Sequence, residues 1–284
     1  MSARSYLYVP GTAGERLDHA ADRGADAVIV DLEDAVVASR KQEARTAAAR
    51  FVAAAADPRI EVWVRVNQGP DGLADIIATV GPSLTGVCVP KTGGAHDLAA
   101  VDEALTTAER AAGLLRGSIA VNPLIESAQG LENLREIARS PRVRMIQIGE
   151  GDLAADLGML PGPGGEEFLA VRTAAVVMSR GANIEAPMAA VSTNFRDLEA
   201  LRADTELHRR LGFRGRACIH PAQLAIVHDV FTPSAEEVDR ARAVLAAFDD
   251  GVARGDGAMV APDGRMLDEA LVRSARDLLA LSTS

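Results

Sequence analysis

Residues 24–36 read Gly-Ala-Asp-Ala-Val-Ile-Val-Asp-Leu-Glu-Asp-Ala-Val. A short β-branched run ends abruptly in acids, and an Ala-rich stretch of helical period follows at 38–56. The run is apolar throughout rather than alternating, as expected of a strand buried on both faces of a parallel sheet. The pattern recurs along the chain. Strands are expected at 6–9, 27–32, 61–66, 86–90, 118–125, 145–148, 187–191 and 217–220. Helical stretches at 38–56, 95–113, 128–140, 166–181 and 195–211 lie between them. Eight such units predict a (β/α)₈ TIM barrel rather than an open doubly wound sheet, and 284 residues suit one. The barrel is expected to span 1–232. A C-terminal helical arm is expected over 233–284, with helices at 235–254 and 268–281 and a Gly/Asp-rich connection at 251–264.

A net charge of −10 supplies no basic stripe, which argues against nucleic acid and anionic membrane surfaces as partners. No apolar run reaches the length of a membrane span, roughly 18 residues. The first eleven residues lack the basic start and apolar core of a secretory signal, so a cytoplasmic location is expected. Cys88 and Cys218, each inside an apolar run, read as buried free thiols.

In such a barrel the chemistry sits where strands end at their C-terminal side. Those ends carry Asp31, Glu33, Asp34, Arg65, Asn67, Lys91, Glu126, Glu150, Asp152 and His220. Carboxylates converging at this range repel one another unless a cation lies among them. Glu126 and Asp152 follow adjacent strands and suit Mg²⁺, which takes one or two carboxylates and keeps positions for water and substrate. The same two residues also suit simple helix capping. Arg65 ends the strand Val-Trp-Val-Arg-Val-Asn, and its planar guanidinium fits a substrate carboxylate or enolate, or a structural ion pair with Asp31 or Glu33. Glu33 and Asp34 read as partners of the metal's waters. His220, followed by Pro221, reads as a structural hydrogen-bonding residue. The other histidines fall on predicted helices without ligand spacing, which disfavours zinc. No Gly-x-Ser-x-Gly elbow or Cys–His pair signals a covalent nucleophile.

Several longer motifs stand in order: Tyr-Leu-Tyr-Val-Pro-Gly at 6–11, the run at 24–36, Val-Arg-Val-Asn at 64–67 and Val-Pro-Lys at 89–91. Leu-Ile-Glu-Ser-Ala-Gln-Gly at 124–130, Asp-Leu-Ala-Ala-Asp-Leu-Gly at 152–158, Cys-Ile-His-Pro-Ala-Gln at 218–223 and Phe-Thr-Pro-Ser at 231–234 complete them. With these the chain resembles, nearly end to end, the citrate lyase β-subunit/malyl-coenzyme A lyase family of (β/α)₈ barrels. The resemblance implies a Mg²⁺-dependent carbon–carbon lyase that cleaves or forms a 3-hydroxyacyl thioester, with an acyl-coenzyme A and a 2-oxo acid as its small-molecule partners. It implies Glu126 and Asp152 as metal ligands, Arg65 as substrate contact, and Glu33 and Asp34 as outer partners. It also implies Asp268 as acid/base in an arm that packs on a neighbouring subunit of a homotrimer or hexamer. Three positions depart from the family pattern: Ala13 replaces an arginine associated with coenzyme A, the usual acidic pair is reduced to Gly151-Asp152 with Glu150 just before it, and Asn194 replaces an aspartate. Arg16 and Lys91 are left to hold the coenzyme A anions. A metal-dependent aldolase acting on free hydroxy-oxo acids, and a subunit active only with an acyl carrier protein, are the alternative readings.

Overall fold

A computed structural model describes residues 3–254, 259–261, 264 and 266–282. Their contacts divide the chain into two compact units, Ser2–His228 and Asp229–Ser284. In the first, eight parallel strands close into a barrel: β1 (Ser5–Pro10), β2 (Ala27–Asp31), β3 (Glu61–Arg65), β4 (Gly86–Val89), β5 (Ala120–Ile125), β6 (Gln147–Ile148), β7 (Met188–Ala189) and β8 (Gly215–Cys218). The strands pair in chain order, and β8 returns to pair with β1. The (β/α)₈ expectation holds.

The helices that follow β1 to β5 are α1 (Glu15–Asp18), α2 (Lys41–Ala54), α3 (Gly69–Thr79), α4 (Ala95–Ala111), then α5 (Ala128–Glu132) with α6 (Leu134–Ala138). After β6 to β8 come α7 (Glu150–Leu157), α8 (Leu169–Ala182), α9 (Leu198–Leu211) and α10 (Leu224–Phe231). The stretch expected as one helix over 128–140 is interrupted at Asn133, which ends α5 and begins α6. The eighth strand lies at Gly215–Cys218 rather than 217–220.

Side-chain alternation explains how the barrel builds a site. Tyr6, Ile29, Trp63, Leu124, Met145, Met188 and Ala217 form one buried cluster drawn from around the barrel. In a strand, the residue two positions on faces the same side. Moving two positions toward the C-terminal end gives Tyr8, Asp31, Arg65, Glu126, Gln147, Ala190 and Ile219, and all of these line one cavity. The packed layer is its floor. No helix among the described residues is long and apolar enough to cross a membrane.

In the second unit, α11 (Ala235–Arg254) packs against α12 (Glu269–Ser282) beside a short antiparallel pair, β9 (Met259–Val260) and β10 (Met266–Leu267). Val244, Ala261, Leu267 and Val272 are buried between them. Ser234 and Glu237 form a reciprocal cap at the start of α11: Ser234 N–H donates to Glu237 Oε2 at 2.8 Å, and Glu237 N–H donates to Ser234 Oγ at 3.2 Å. Most of the expected connection at 251–264 lies outside the described residues.

Candidate active site

The cavity at the C-terminal end of the barrel strands holds about 780 Å³. One wall is charged and the other apolar, the latter made by Leu124, Ile148, Ala154, Pro161, Phe168 and Val191.

Arg65 centres the charged wall. Its Nε donates to Asp31 Oδ1 at 2.7 Å and its Nη2 to Asp31 Oδ2 at 2.5 Å, a two-pronged pairing that spans adjacent strand ends. Nη1 donates to Asp34 at 3.2 Å and lies 3.0 Å from Glu33 Oε2. That last contact is an ion pair outside hydrogen-bonding geometry, since Oε2 is buried without a hydrogen-bond partner. The structural ion pair foreseen for Arg65 is therefore present, and the residue lines the cavity as well. Burial works against its charge, but Asp31 more than compensates and raises its pKa above the usual arginine value. The ring of Tyr8 lies under the guanidinium, 5.3 Å away.

Glu126 follows β5 and is buried. Burial first, then the charges of Glu33 and Asp152, push its carboxyl up to about 7 against the opposing Lys91 backbone N–H. That N–H donates to Glu126 Oε2 at 2.7 Å. It does so because Lys91 takes a positive φ of 49°, a conformation that costs a non-glycine residue free energy and gathers at functional sites. Opposite, Gly149 leaves room for the carboxyl: a Cβ there would come within 2.4 Å of Glu126 Cγ and 2.5 Å of Oε1. Lys91 Nζ reaches Glu33 Oε1 at 3.2 Å. Burial and the neighbouring Asp34 raise Glu33, with Arg65 opposing them.

Asp152 sits in the first turn of α7 and lines the same cavity. Asp31, Glu33, Asp34, Glu126 and Asp152 thus face Arg65 and Lys91, leaving an excess of negative charge. Among the described residues no three such side chains are already arranged as a metal cage. Two carboxylates with open positions beside them are a donor set that fits Mg²⁺, which keeps waters.

Of the other expected residues, Asp268 and Glu150 are each engaged locally. Arg16 is exposed on α1, outside the cavity lining. Asp268 is exposed and caps α12, accepting the Leu271 N–H at 2.8 Å. Glu150 lines the cavity and commits its carboxylate to Arg172, accepting from Nε at 2.6 Å and Nη2 at 2.8 Å. Burial alone would raise Glu150, but Arg172 and His208 hold it down to about 2. Behind it, Arg172 Nη1 lies 3.3 Å and Arg216 Nη2 2.7 Å from Asp204. Arg172→Met leaves Glu150 and Asp204 short of their buried partner. It is expected to cost about 3–5 kcal/mol in a denaturant titration, the range for a broken buried pair. A loss below about 1 kcal/mol would show the network to be ornamental.

His220 plays the structural part expected of it: Nδ1 accepts the Ala222 N–H at 3.1 Å and the ring stacks on Phe195 at 4.8 Å. Cys88 and Cys218 are free and buried, and burial pushes both thiols up to about 12. Sequence reasoning missed Tyr8 and Gln147 altogether. Alternation from Tyr6 and Met145 is the signal that marks them as inward-facing.

The chain matches the HpcH/HpaI aldolase/citrate lyase family over residues 4–221. It is 36% identical over 283 residues to a citrate lyase subunit beta-like protein of Deinococcus radiodurans, covering 98% of this chain and 96% of that one. It is 35% identical over 280 residues to a (3S)-malyl-CoA thioesterase of Cereibacter sphaeroides, covering 98% and 93%. Among solved structures, CitE from Mycobacterium tuberculosis in complex with magnesium, acetoacetate and coenzyme A superposes with a TM-score of 0.79 at 28% identity. That match covers 100% of this chain and 99% of that one.

Proposed function

The chain belongs to the HpcH/HpaI aldolase/citrate lyase family of carbon–carbon lyases, and we propose that its substrate is a 3-hydroxyacyl-coenzyme A thioester. Malyl-, citramalyl- and citryl-coenzyme A are the candidates, each yielding an acyl-coenzyme A and a 2-oxo acid. The observation that carries this reading is the excess of carboxylates around Glu126 and Asp152 beside a tethered guanidinium. The M. tuberculosis structure, which holds magnesium, a keto acid and coenzyme A, supports it.

In cleavage the substrate hydroxyl loses its proton and the adjacent carbon–carbon bond breaks. The hydroxyl carbon becomes the carbonyl of the oxo acid. The bonding pair passes to the thioester α-carbon, which then takes a proton. Glu126 and Asp152 would hold the Mg²⁺, with Glu126 fixed by the Lys91 N–H and given room by Gly149. The bound cation supplies Lewis-acid stabilisation of oxygen charge and a template for the oxo acid. Arg65 faces the negative charge that develops on the thioester. Glu33 and Asp34 would stand outside the cation's ligands as hydrogen-bond acceptors, and Arg16 and Lys91 would meet the coenzyme A anions.

Purified protein with Mg²⁺ is to be screened with pyruvate, glyoxylate and oxaloacetate against acetyl- and propionyl-coenzyme A. Carbon–carbon bond formation in at least one pair is the expected result, and none in any pair defeats the proposal. Hydrolysis of the thioester is a second activity at the same site, favoured by the 35% identity to a (3S)-malyl-CoA thioesterase. Free thiol released faster than acyl-coenzyme A accumulates would identify it.

The arm, residues 233–284, belongs to the same proposal: it packs on a neighbouring subunit of a homotrimer or hexamer, where Asp268 moves the proton at the acyl α-carbon. Capping of α12 by Asp268 is compatible with that task, since a carboxylate has acceptor capacity beyond one N–H. Asp268→Asn and Glu126→Ala proteins, each inactive alone, are expected to regain up to about a quarter of normal activity when unfolded and reassembled together. No recovery in mixed oligomers confirmed by mass returns the arm to its own barrel. Unchanged kcat in Asp268→Asn removes the residue from the chemistry.

A further inference from the structure

The two carboxylates proposed to hold the cation are not themselves held alike. Glu126 is buried and accepts the Lys91 N–H at 2.7 Å. Asp152 is exposed in the first turn of α7 and accepts no hydrogen bond from any described residue. Its place is therefore set by the backbone that carries it. That turn begins at Gly149, which offers no side-chain cap. Leu153 and Ala154 bury its inner side, but apolar contact is non-directional and does not fix how the turn is rotated. One directional hook is the Gly149 N–H, which donates to the Ile125 carbonyl at 2.9 Å. A single hook leaves a turn free to pivot.

The second hook is Glu150. Its two oxygens take Arg172 Nε at 2.6 Å and Nη2 at 2.8 Å, and paired parallel donors fix direction as well as distance. His208 Nε2, 3.8 Å from the same carboxylate, is beyond hydrogen-bonding reach. Arg172 is itself immobilised. It is buried on α8, its Nη1 lies 3.3 Å from Asp204, and its guanidinium lies over the Phe168 ring at 5.7 Å. Asp204 in turn meets Arg216 Nη2 at 2.7 Å. The start of α7 is thus tied through side chains to α8, α9 and β8.

We infer that Arg172 is a positioning residue for the cation site: its grip on Glu150 fixes the first turn of α7, and with it Asp152, within reach of the cation shared with Glu126. The inference rests on the Mg²⁺ reading of Glu126 and Asp152 and deepens it. Charge alone argues for the reverse effect. A guanidinium near a bound cation repels it, so its removal should tighten binding. A released Glu150, which lines the same cavity, would add a carboxylate and tighten it further. A loss of affinity on removing Arg172 therefore reports position.

Manganese affinity, read by electron paramagnetic resonance well below each variant's melting temperature, is the test. Arg172→Gln is expected to weaken it about tenfold to a hundredfold, as loss of a partner that orients a metal ligand does. Arg172→Lys keeps the charge but not the fork, and should weaken it by a smaller factor. Glu150→Asp keeps both charges and shortens the tether by one methylene. It should weaken binding about tenfold, and it carries the test if Arg172→Gln does not fold. Arg172→Gln in a Glu150→Gln background should add almost nothing, because the two side chains act through one contact. Affinity at or above wild type in Arg172→Gln, no change in Glu150→Asp, or an additive fall in the double variant overturns the assignment. If Glu126→Gln leaves manganese affinity unaltered, the cation reading fails and the assignment with it. If affinity depends on Glu126 but not on Arg172 or Glu150, the positioning role alone fails.

Discussion

Glu126→Gln is expected to abolish divalent-cation binding and to lower turnover by at least about a thousandfold, the several kcal/mol that a Lewis-acid cation contributes. The substitution keeps shape and volume. A carboxamide oxygen can still accept the Lys91 N–H, and the space above Gly149 is unchanged. What disappears is one negative charge from a buried cluster in which burial, Glu33 and Asp152 already work against it. Folding stability should therefore be equal or slightly greater, which separates loss of the site from loss of the structure. Asp152→Asn should act in the same direction. Manganese binding followed by electron paramagnetic resonance gives a readout independent of activity. Unaltered manganese affinity in either variant, or full activity of wild type in excess chelator, takes the cation away from these residues.

The barrel was legible because buried parallel strands announce themselves by composition, and eight of them recur at regular spacing. Where the reading slipped, a charge or a breaker hid the element. The residues at 217–220 predict the eighth strand there, yet it begins at Gly215-Arg216. Arg216 belongs in the strand because its guanidinium is neutralised by Asp204 at 2.7 Å, a partner twelve residues away that no local pattern reveals. Helix α3 is hidden because it opens Gly-Pro-Asp-Gly, which reads as a turn in sequence although Pro and Asp suit the first turn of a helix. The rim residues were legible from a single rule, that chemistry follows strand ends. The rule could not separate Glu150, committed to Arg172, from Asp152 two positions later, because their difference lies in a contact to α8. Gln147 stayed hidden for the opposite reason: a lone polar residue in Met-Ile-Gln-Ile looks like strand filler until Tyr8 is seen across the barrel.

Arg65→Lys is expected to lower kcat/KM by at least about a hundredfold although the charge is kept. The guanidinium uses its fork: Nε and Nη2 grip both oxygens of Asp31, Nη1 faces Asp34 and Glu33, and one Nη2 hydrogen remains for substrate. A lysine ammonium offers three donors from one point and cannot reach both Asp31 oxygens and Glu33 while leaving a donor over the cavity. It also loses the flat face that rests on Tyr8. The buried Asp31 would be left partly unpaired, so a drop in the unfolding midpoint is expected alongside the loss of rate. These two effects have different origins and separate under rescue. In Arg65→Ala, free guanidinium at millimolar concentration can refill the slot between Asp31 and the cavity. If the remaining N–H acts on the substrate, guanidinium should restore kcat toward wild type, and methylammonium should not. Restoration of stability without restoration of kcat would reduce Arg65 to a clamp that holds the rim together. A Lys variant with near-normal kcat/KM would remove the fork from the chemistry entirely.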